Sequence, residues 1–202
     1  MFIQLLKKNS VDGRKINEVA EFLRNEATTD FQFMHRNWTI MLWSILENYI
    51  RDFLVEWIKR HPKTIRTESV QKLQIGLGEY ESLQGDEKYE YIVEMIELQS
   101  RSKTGIGVGR FERLLEQFDL SGKVNEELKR GILELQQVRH VLVHRNGIVD
   151  KRLIEKCPWT ASNIGKTIQI DSEKYNAYLV SVLDYASMIG DRAIKKTSES
   201  GE

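Results

Sequence analysis

A chain of 202 residues, 41% of them hydrophobic, is long enough to bury one substantial core, and no Pro/Gly-rich linker divides it, so a single domain over residues 1–194 is expected. Thirty basic and thirty acidic side chains cancel, which excludes the overall positive field of a protein that gathers nucleic acid across its whole surface. One cysteine, Cys157, excludes an intrachain disulfide and a cysteine-based zinc site, and suits a reducing, cytoplasmic compartment.

In chain order, Phe2-Ile3-Gln4-Leu5-Leu6 fits a short strand or a docking arm, and Asp12-Gly13 a turn. Met1 to Leu6 has neither the charged start nor the cleavage site of a signal peptide. Ile16, Val19, Ala20 and Leu23 mark a short amphipathic helix. The dominant element is expected over residues 38–60, where Trp38, Met41, Leu42, Ile45, Leu46, Tyr49, Ile50, Phe53, Leu54 and Trp57 cover a wide helical face until His61-Pro62 ends it. That face is wider than one facing helix covers, so part of it is expected against a second subunit. Glu47 lies one turn before Arg51 in an i,i+4 arrangement that reads as an exposed ion pair. The longest uncharged helical stretch, residues 37–46, is far short of the ~20 residues that span a bilayer, and no membrane association is expected.

Residues 63–85 carry a weak pattern with a short helix at 69–75. Asp86 reads as the N-cap of a helix over 87–99 whose apolar side is Tyr91, Ile92, Met95 and Ile96. Thr104-Gly105-Ile106-Gly107-Val108-Gly109 alternates three glycines before a helix, in the manner of phosphate-cradling loops. It lacks a Walker lysine, a preceding strand and a βαβ setting, so a plain loop is expected. Residues 110–118 form the next helix, with Phe111, Leu114, Leu115 and Phe118 on one side, and Ser121-Gly122 breaks the chain after it.

The stretch ELQQVRHVLVHRNGIVD at 134–150 places titratable groups where apolar ones would pack. Leu128, Ile132, Leu135, Arg139 and Leu142 follow the spacing of a buried stripe, and its fourth member is an arginine, a cation that cannot shed its charge and therefore needs an anion, a wet cleft or a symmetry partner beside it. His140 and His144 follow one turn apart, and Asn146-Gly147 stops the helix by accepting φ > 0. The negative end of the helix dipole is expected to raise both histidine pKa values. Between Arg139 and Lys156 five basic residues stand against two acidic ones, so any polyanion site is local. Farther on, Cys157-Pro158-Trp159 and Asn163-Ile164-Gly165 are turn-like and Thr167-Ile168-Gln169-Ile170 reads as a short edge strand or extended arm. Asp171-Ser172 caps a last helix with Tyr175, Tyr178, Leu179, Val182, Leu183, Ala186 and Ile189 inward, and residues 195–202 are expected as a disordered tail. The total is an all-α chain of five or six helices with a minor extended segment.

Arg139-His140-Val141-Leu142-Val143-His144 has the order R-polar-x-x-x-H and resembles the signature of the HEPN superfamily of all-α ribonucleases. The continuation His144-Arg145-Asn146-Gly147-Ile148-Val149-Asp150, with Phe111-Glu112-Arg113-Leu114-Leu115 upstream, is similar to the RiboL-PSP-type HEPN branch, and the resemblance covers residues 30–194. It implies a HEPN-like bundle, RNA as substrate, a homodimer in which two such motifs form one cleft, and a defence or toxin-type effector with an antitoxin or sensor protein as a further partner. Arg139 and His144 are then the catalytic pair, His140, Arg145 and Asn146 support them, and Glu47 or Asp52 orients Arg139. Family members with a tyrosine two places after the histidine can be adenylylated there; Asn146 holds that position here.

The chemistry fits those residue types without a metal or cofactor. A histidine titrating near neutrality can take a proton from a ribose 2′-OH or give one to the leaving 5′-oxygen, and an arginine can steady the phosphorane. One histidine does not conveniently serve both sides of an in-line displacement, so two copies are wanted. Other readings stand beside this one. Several HEPN branches keep the fold without activity, which implies an RNA- or nucleotide-binding regulatory dimer. His140 and His144 also have the i,i+4 spacing of zincin helices, though without their glutamate. The plainest alternative is a core histidine capping a carbonyl and an arginine in a structural ion pair.

Overall fold

Twenty-nine residues carrying a wide apolar face form one uninterrupted helix at the centre of the fold. The computed structural model describes residues 13–66, 68–100, 105–160 and 162–200, so the strand or arm expected at residues 2–6 lies outside the described residues. In chain order α1 is Gly13–Thr28, α2 Gln32–Arg60, α3 Glu68–Gln71 after a 3₁₀ turn at Pro62–Arg66, α4 Leu77–Ser82, α5 Glu87–Ser100, α6 Val108–Glu116, α7 Glu126–His144, α8 Lys151–Lys156 and α9 Ser172–Ser200. Six of these have nine residues or more and three have four to six, so the chain is an all-α bundle; the short helices fall where the apolar period is weakest or shortest. Among the described residues the only β pairing is a single antiparallel bridge, Ile148 to Thr167.

The core is built by α2, α7 and α9, each packed on the other two, with α5 laid on α2 and α8 on α7. Leu46, Leu54 and Ile58 of α2, Ile132 and Leu135 of α7, and Tyr185 and Ile189 of α9 are fully buried. His35 stacks on Tyr175 at 5.4 Å and Tyr49 Oη donates to the Ala186 carbonyl at 3.2 Å; the contacts keep the same order along both helices, so α2 and α9 run parallel.

The short helix expected at 69–75 ends at Gln71, and the helices Leu77–Ser82 and Lys151–Lys156 are not among those expected from the sequence. Two boundaries and one cap differ for tertiary reasons. The central helix starts at Gln32 rather than Trp38, because the buried Glu26 carboxylate at the end of α1 accepts from the Phe33 and Met34 amides (3.0 and 3.3 Å) and satisfies the helix start from outside. Asp86 does not cap α5 with its side chain: its carboxylate meets Lys59 Nζ at 2.9 Å. The last helix runs on to Ser200, so residues 195–200 are helical rather than a disordered tail; Lys196 Nζ reaches the Phe118 carbonyl at 2.9 Å and the buried Ala193 holds the turn before it. Asp171 caps α9 as expected, its Oδ1 accepting from the Lys174 amide at 2.8 Å.

Residues 167–170 form an extended arm instead of a strand. Ile168 and Ile170 are buried, and the arm is held by α2 side chains: Arg36 Nη2 donates to the Ile168 carbonyl (2.7 Å) and Gln32 Oε1 accepts from the Ile170 amide (2.8 Å). Side-chain partners thus replace the second strand that its backbone groups would otherwise need.

Part of the α2 face stays uncovered. Trp38, Met41, Ile45 and Tyr49 form an exposed stripe, and Leu183 is exposed on the adjoining α9. Trp43 and Glu47, which face the functional site, follow Met41 and Ile45 by two positions each, or about 200° around the helix. The stripe and the site therefore lie on opposite sides of α2. No helix among the described residues is long and apolar enough to cross a membrane.

Candidate functional site

The end of α7 is where the periodicity of a buried helix meets polar residues. Asn125 caps its start, accepting from the Leu128 amide at 2.8 Å, and the stripe Leu128, Ile132, Leu135, Val138, Val141 is buried. At the far end the Arg145 and Gly147 amides both close on the Val141 carbonyl (2.9 and 3.1 Å), with Asn146 at φ 52° and Gly147 at φ 77°. The asparagine-glycine pair ends the helix as its sequence requires, because both residues enter the left-handed region.

Arg139 is half-buried. Its Nε is shut off from solvent and has no hydrogen-bond partner, and none of the ion pairs among the described residues includes it. It lines a cavity of about 170 Å³ together with His140, Gln136 and Gln137 of the same helix, and with Arg152 of α8. His144 lies outside that lining, on the exposed last turn, with its ring centroid 4.7 Å from that of His140. The two imidazoles and the Arg139 guanidinium therefore share one corner of the molecule.

Glu47 closes the opposite wall of the cavity, and neither partner expected for it is the one it has. Its carboxylate accepts from Arg110 Nη1 at 2.5 Å, while Arg110 Nη2 holds Glu97 at 2.7 Å and Arg51 also goes to Glu97, at 3.0 Å. Glu47 thus pairs neither with Arg51 nor with Arg139, because α6 brings Arg110 between them. Asp52 is exposed. Arg145 is exposed and reaches Asp150 only at 3.8 Å, and Asn146 is exposed on the turn. Of the supporting residues expected from the sequence, His140 and Glu47 line the cavity and Arg145 and Asn146 stand beyond it.

The glycine-rich segment is the cavity's rim rather than a phosphate loop. Gly107, at φ 55°, lies so close to α7 that a Cβ there would come 3.2 Å from Leu133 Cα, and its amide donates to Gln136 Oε1 at 2.8 Å. The amide that an anion would use is already taken. Arg110 and Arg152 are site residues that the sequence reading missed. Arg152 sits in a basic run that announced a local charge but not its direction, and nothing in the local pattern marks Arg110.

The pKa of His140 lies below the ordinary imidazole value near 6.5, through partial burial first and the positive charge of Arg152 and the neighbouring His144 next. This reverses the rise expected from the helix dipole: burial and two cationic neighbours outweigh a field that is largely spent at an exposed helix end. An NMR titration is expected to give His140 a midpoint below 6.5. Because the folded chain then protonates later than the unfolded one, acidification through that range costs stability, which returns as the pH rises above it. A midpoint at or above 6.5 would restore the dipole argument.

Among the described residues no group of three or more His, Cys, Asp or Glu side chains is placed to hold a metal ion, and the His140–His144 pair has no third ligand. On the opposite flank of α7, the buried Glu134 accepts from Trp159 Nε1 (2.8 Å) and Tyr178 Oη (3.3 Å) and pairs with Lys174, which locks α7 to α9 and to the segment after α8. Glu112, in the motif upstream of α7, is likewise structural: it accepts from Tyr185 Oη at 2.8 Å and from Arg192 Nη1 at 2.9 Å. No protein-family model matches the chain, and no curated protein or solved structure matches it.

Proposed function

We propose that this chain is a metal-independent endoribonuclease of HEPN type, cutting RNA by attack of the 2′-oxygen to leave a 2′,3′-cyclic phosphate and a 5′-hydroxyl, in the setting of a toxin or defence effector. The observation that carries the reading is the meeting of two imidazoles 4.7 Å apart with a guanidinium whose buried Nε has no partner. A guanidinium without a carboxylate partner, lining a cavity of three arginines and one glutamate, favours a ligand that brings negative charge. Partial burial disfavours the protonated ring of His140, which suits an orienting or base role, and the exposed His144 suits contact with the strand.

Both rings project from one turn of one helix, so within one chain they address the same side of a scissile phosphate. The opposite side then falls to a second copy, giving a homodimer with a composite cleft. The exposed stripe on α2 lies away from the site, which leaves the surface around His144 to join the copies, where Val143 and Ile148 are 45% and 40% exposed. Sedimentation is expected to show Val143→Asp shifting the chain toward monomer and RNA cleavage falling with it, while Ile45→Asp, on the far stripe, leaves cleavage intact. Cleavage by a Val143→Asp monomer at the wild-type rate would refute the composite cleft.

The reading itself is tested by incubating single-stranded RNA with the chain in excess EDTA and analysing the ends. Cyclic phosphate and 5′-hydroxyl termini are expected, and DNA is expected to be spared because it has no 2′-nucleophile. Binding without cleavage would instead make the chain a non-catalytic RNA- or nucleotide-binding module. Cleavage abolished by EDTA and restored by zinc would make the histidine pair part of a metal site.

A further inference from the structure

The cavity beside His140 has an imbalance of charge that the catalytic pair alone does not use. Three guanidinium groups, those of Arg110, Arg139 and Arg152, line it with one carboxylate, that of Glu47. Arg110 takes Glu47 at 2.5 Å and Glu97 at 2.7 Å, so the carboxylate charge on that wall is spent. Arg139 and Arg152 are left facing the same space with no carboxylate within ion-pair distance among the described residues. The neighbours of Arg152, Lys151 and Arg145, meet Glu155 at 3.5 Å and Asp150 at 3.8 Å, whereas Arg152, exposed at the cavity edge, meets neither. Its guanidinium is also near enough to His140 to oppose protonation of that ring. Asp150, the anion closest in sequence, spends Oδ1 on the Leu153 amide at 2.9 Å as the cap of α8.

We propose that Arg152 is an RNA-positioning residue of this site, contacting a backbone phosphate in the cavity that it shares with Arg139 and His140. The inference rests on the ribonuclease reading for the identity of the ligand, since the charge deficit by itself asks only for an anion. A guanidinium presents a planar fork of donors that matches two phosphate oxygens, and Gln136 and Gln137 on the cavity wall offer neutral polar groups beside it. Arg152 lies on α8, a different helix from the motif arginine. A strand held by both is fixed across the α7–α8 corner, with its 2′-oxygen turned to the histidines.

The test uses a 2′-O-methyl oligouridylate, which cannot be cut, so binding is read apart from chemistry. Wild-type chain and Arg152→Gln are compared by fluorescence anisotropy over a series of salt concentrations. Loss of one phosphate contact is expected to weaken binding by about five- to tenfold at low salt and to reduce the slope of log K against log salt by about 0.7, and Arg152→Lys is expected to restore most of that slope. With cleavable RNA, Arg152→Gln is expected to raise KM more than it lowers kcat. Equal salt slopes for wild type and Arg152→Gln, or no oligouridylate binding by the wild type, would overturn the proposal. A slope change in a chain that binds but never cuts RNA would sink the ribonuclease reading and leave Arg152 as a phosphate contact. A cutting chain with unchanged slope would do the reverse.

Discussion

Replacing His144 by Ala is expected to slow RNA cleavage in EDTA by about 10²- to 10⁴-fold, the range over which a positioned proton donor or acceptor contributes. Arg139→Ala is expected to cost about 10²- to 10³-fold through lost stabilisation of the phosphorane, with Arg139→Lys recovering little, because an ammonium cannot reproduce the planar fork. His140→Ala should fall between wild type and His144→Ala if His140 orients its neighbour 4.7 Å away, and should equal His144→Ala if it is itself the base. A mixture of Arg139→Ala and His144→Ala chains extends the test to the dimer. A cleft that needs one complete set of groups regains part of the activity in the heterodimer, and a cleft that needs both copies does not. Wild-type rates in the single His144→Ala chain, measured by the release of cyclic-phosphate ends, would remove the histidine from the mechanism.

Glu134→Ala is expected to destabilise the fold by about 3 kcal/mol, because it leaves Lys174 without its anion and Trp159 Nε1 and Tyr178 Oη without their acceptor in a site where Glu134 itself is only 6% exposed. For a chain of this size that corresponds to a fall of about 6–12 °C in Tm. The neighbouring Cys157 gives an independent readout. Burial, with the Glu134 charge adding to it, pushes its thiol up to about 12, so in the folded chain it is expected to resist alkylation at pH 8. In Glu134→Ala the thiol should label faster, since opening of the α7–α9 contact exposes it and one of the charges that oppose its ionisation is gone. A Tm within 2 °C of wild type, or a Cys157 that labels rapidly in the native chain, would contradict the role given to Glu134.

Periodicity alone made the helical class legible, along with the buried face of α6, part of those of α2, α7 and α9, and the stop at Asn146-Gly147, because a helix of apolar spacing has few other ways to hide its side chains and because only residues tolerant of φ > 0 end it there; in α9 the exposed Leu183 was expected inward and the buried Tyr185 was not. Arg139 was legible as a charge within an apolar run, but the buried stripe passes through Val138 and Val141 and leaves Arg139 half-buried beside it rather than on it. Where helices start and end was less so: α2 begins at Gln32 because Glu26, on another helix, supplies its cap, and α9 reaches Ser200 because Lys196 finds the Phe118 carbonyl. Pairings between charges depended wholly on tertiary structure. Spacing offered Glu47 to Arg51, whereas the fold gives Glu47 to Arg110 of α6 and Arg51 to Glu97 of α5, since both of those helices, distant in sequence, pack their charges against α2. The lowered pKa of His140 has the same origin, for the dipole is local to α7 while burial and the charge of Arg152 arrive from packing. The sequence by itself determined the helical class and the placing of Arg139, His140 and His144 at one helix end, because side-chain type and helical spacing are intrinsic to it. Only the tertiary structure decided which of those charges are neutralised and which stay unpaired, because that depends on what α6 and α8 bring across the gap.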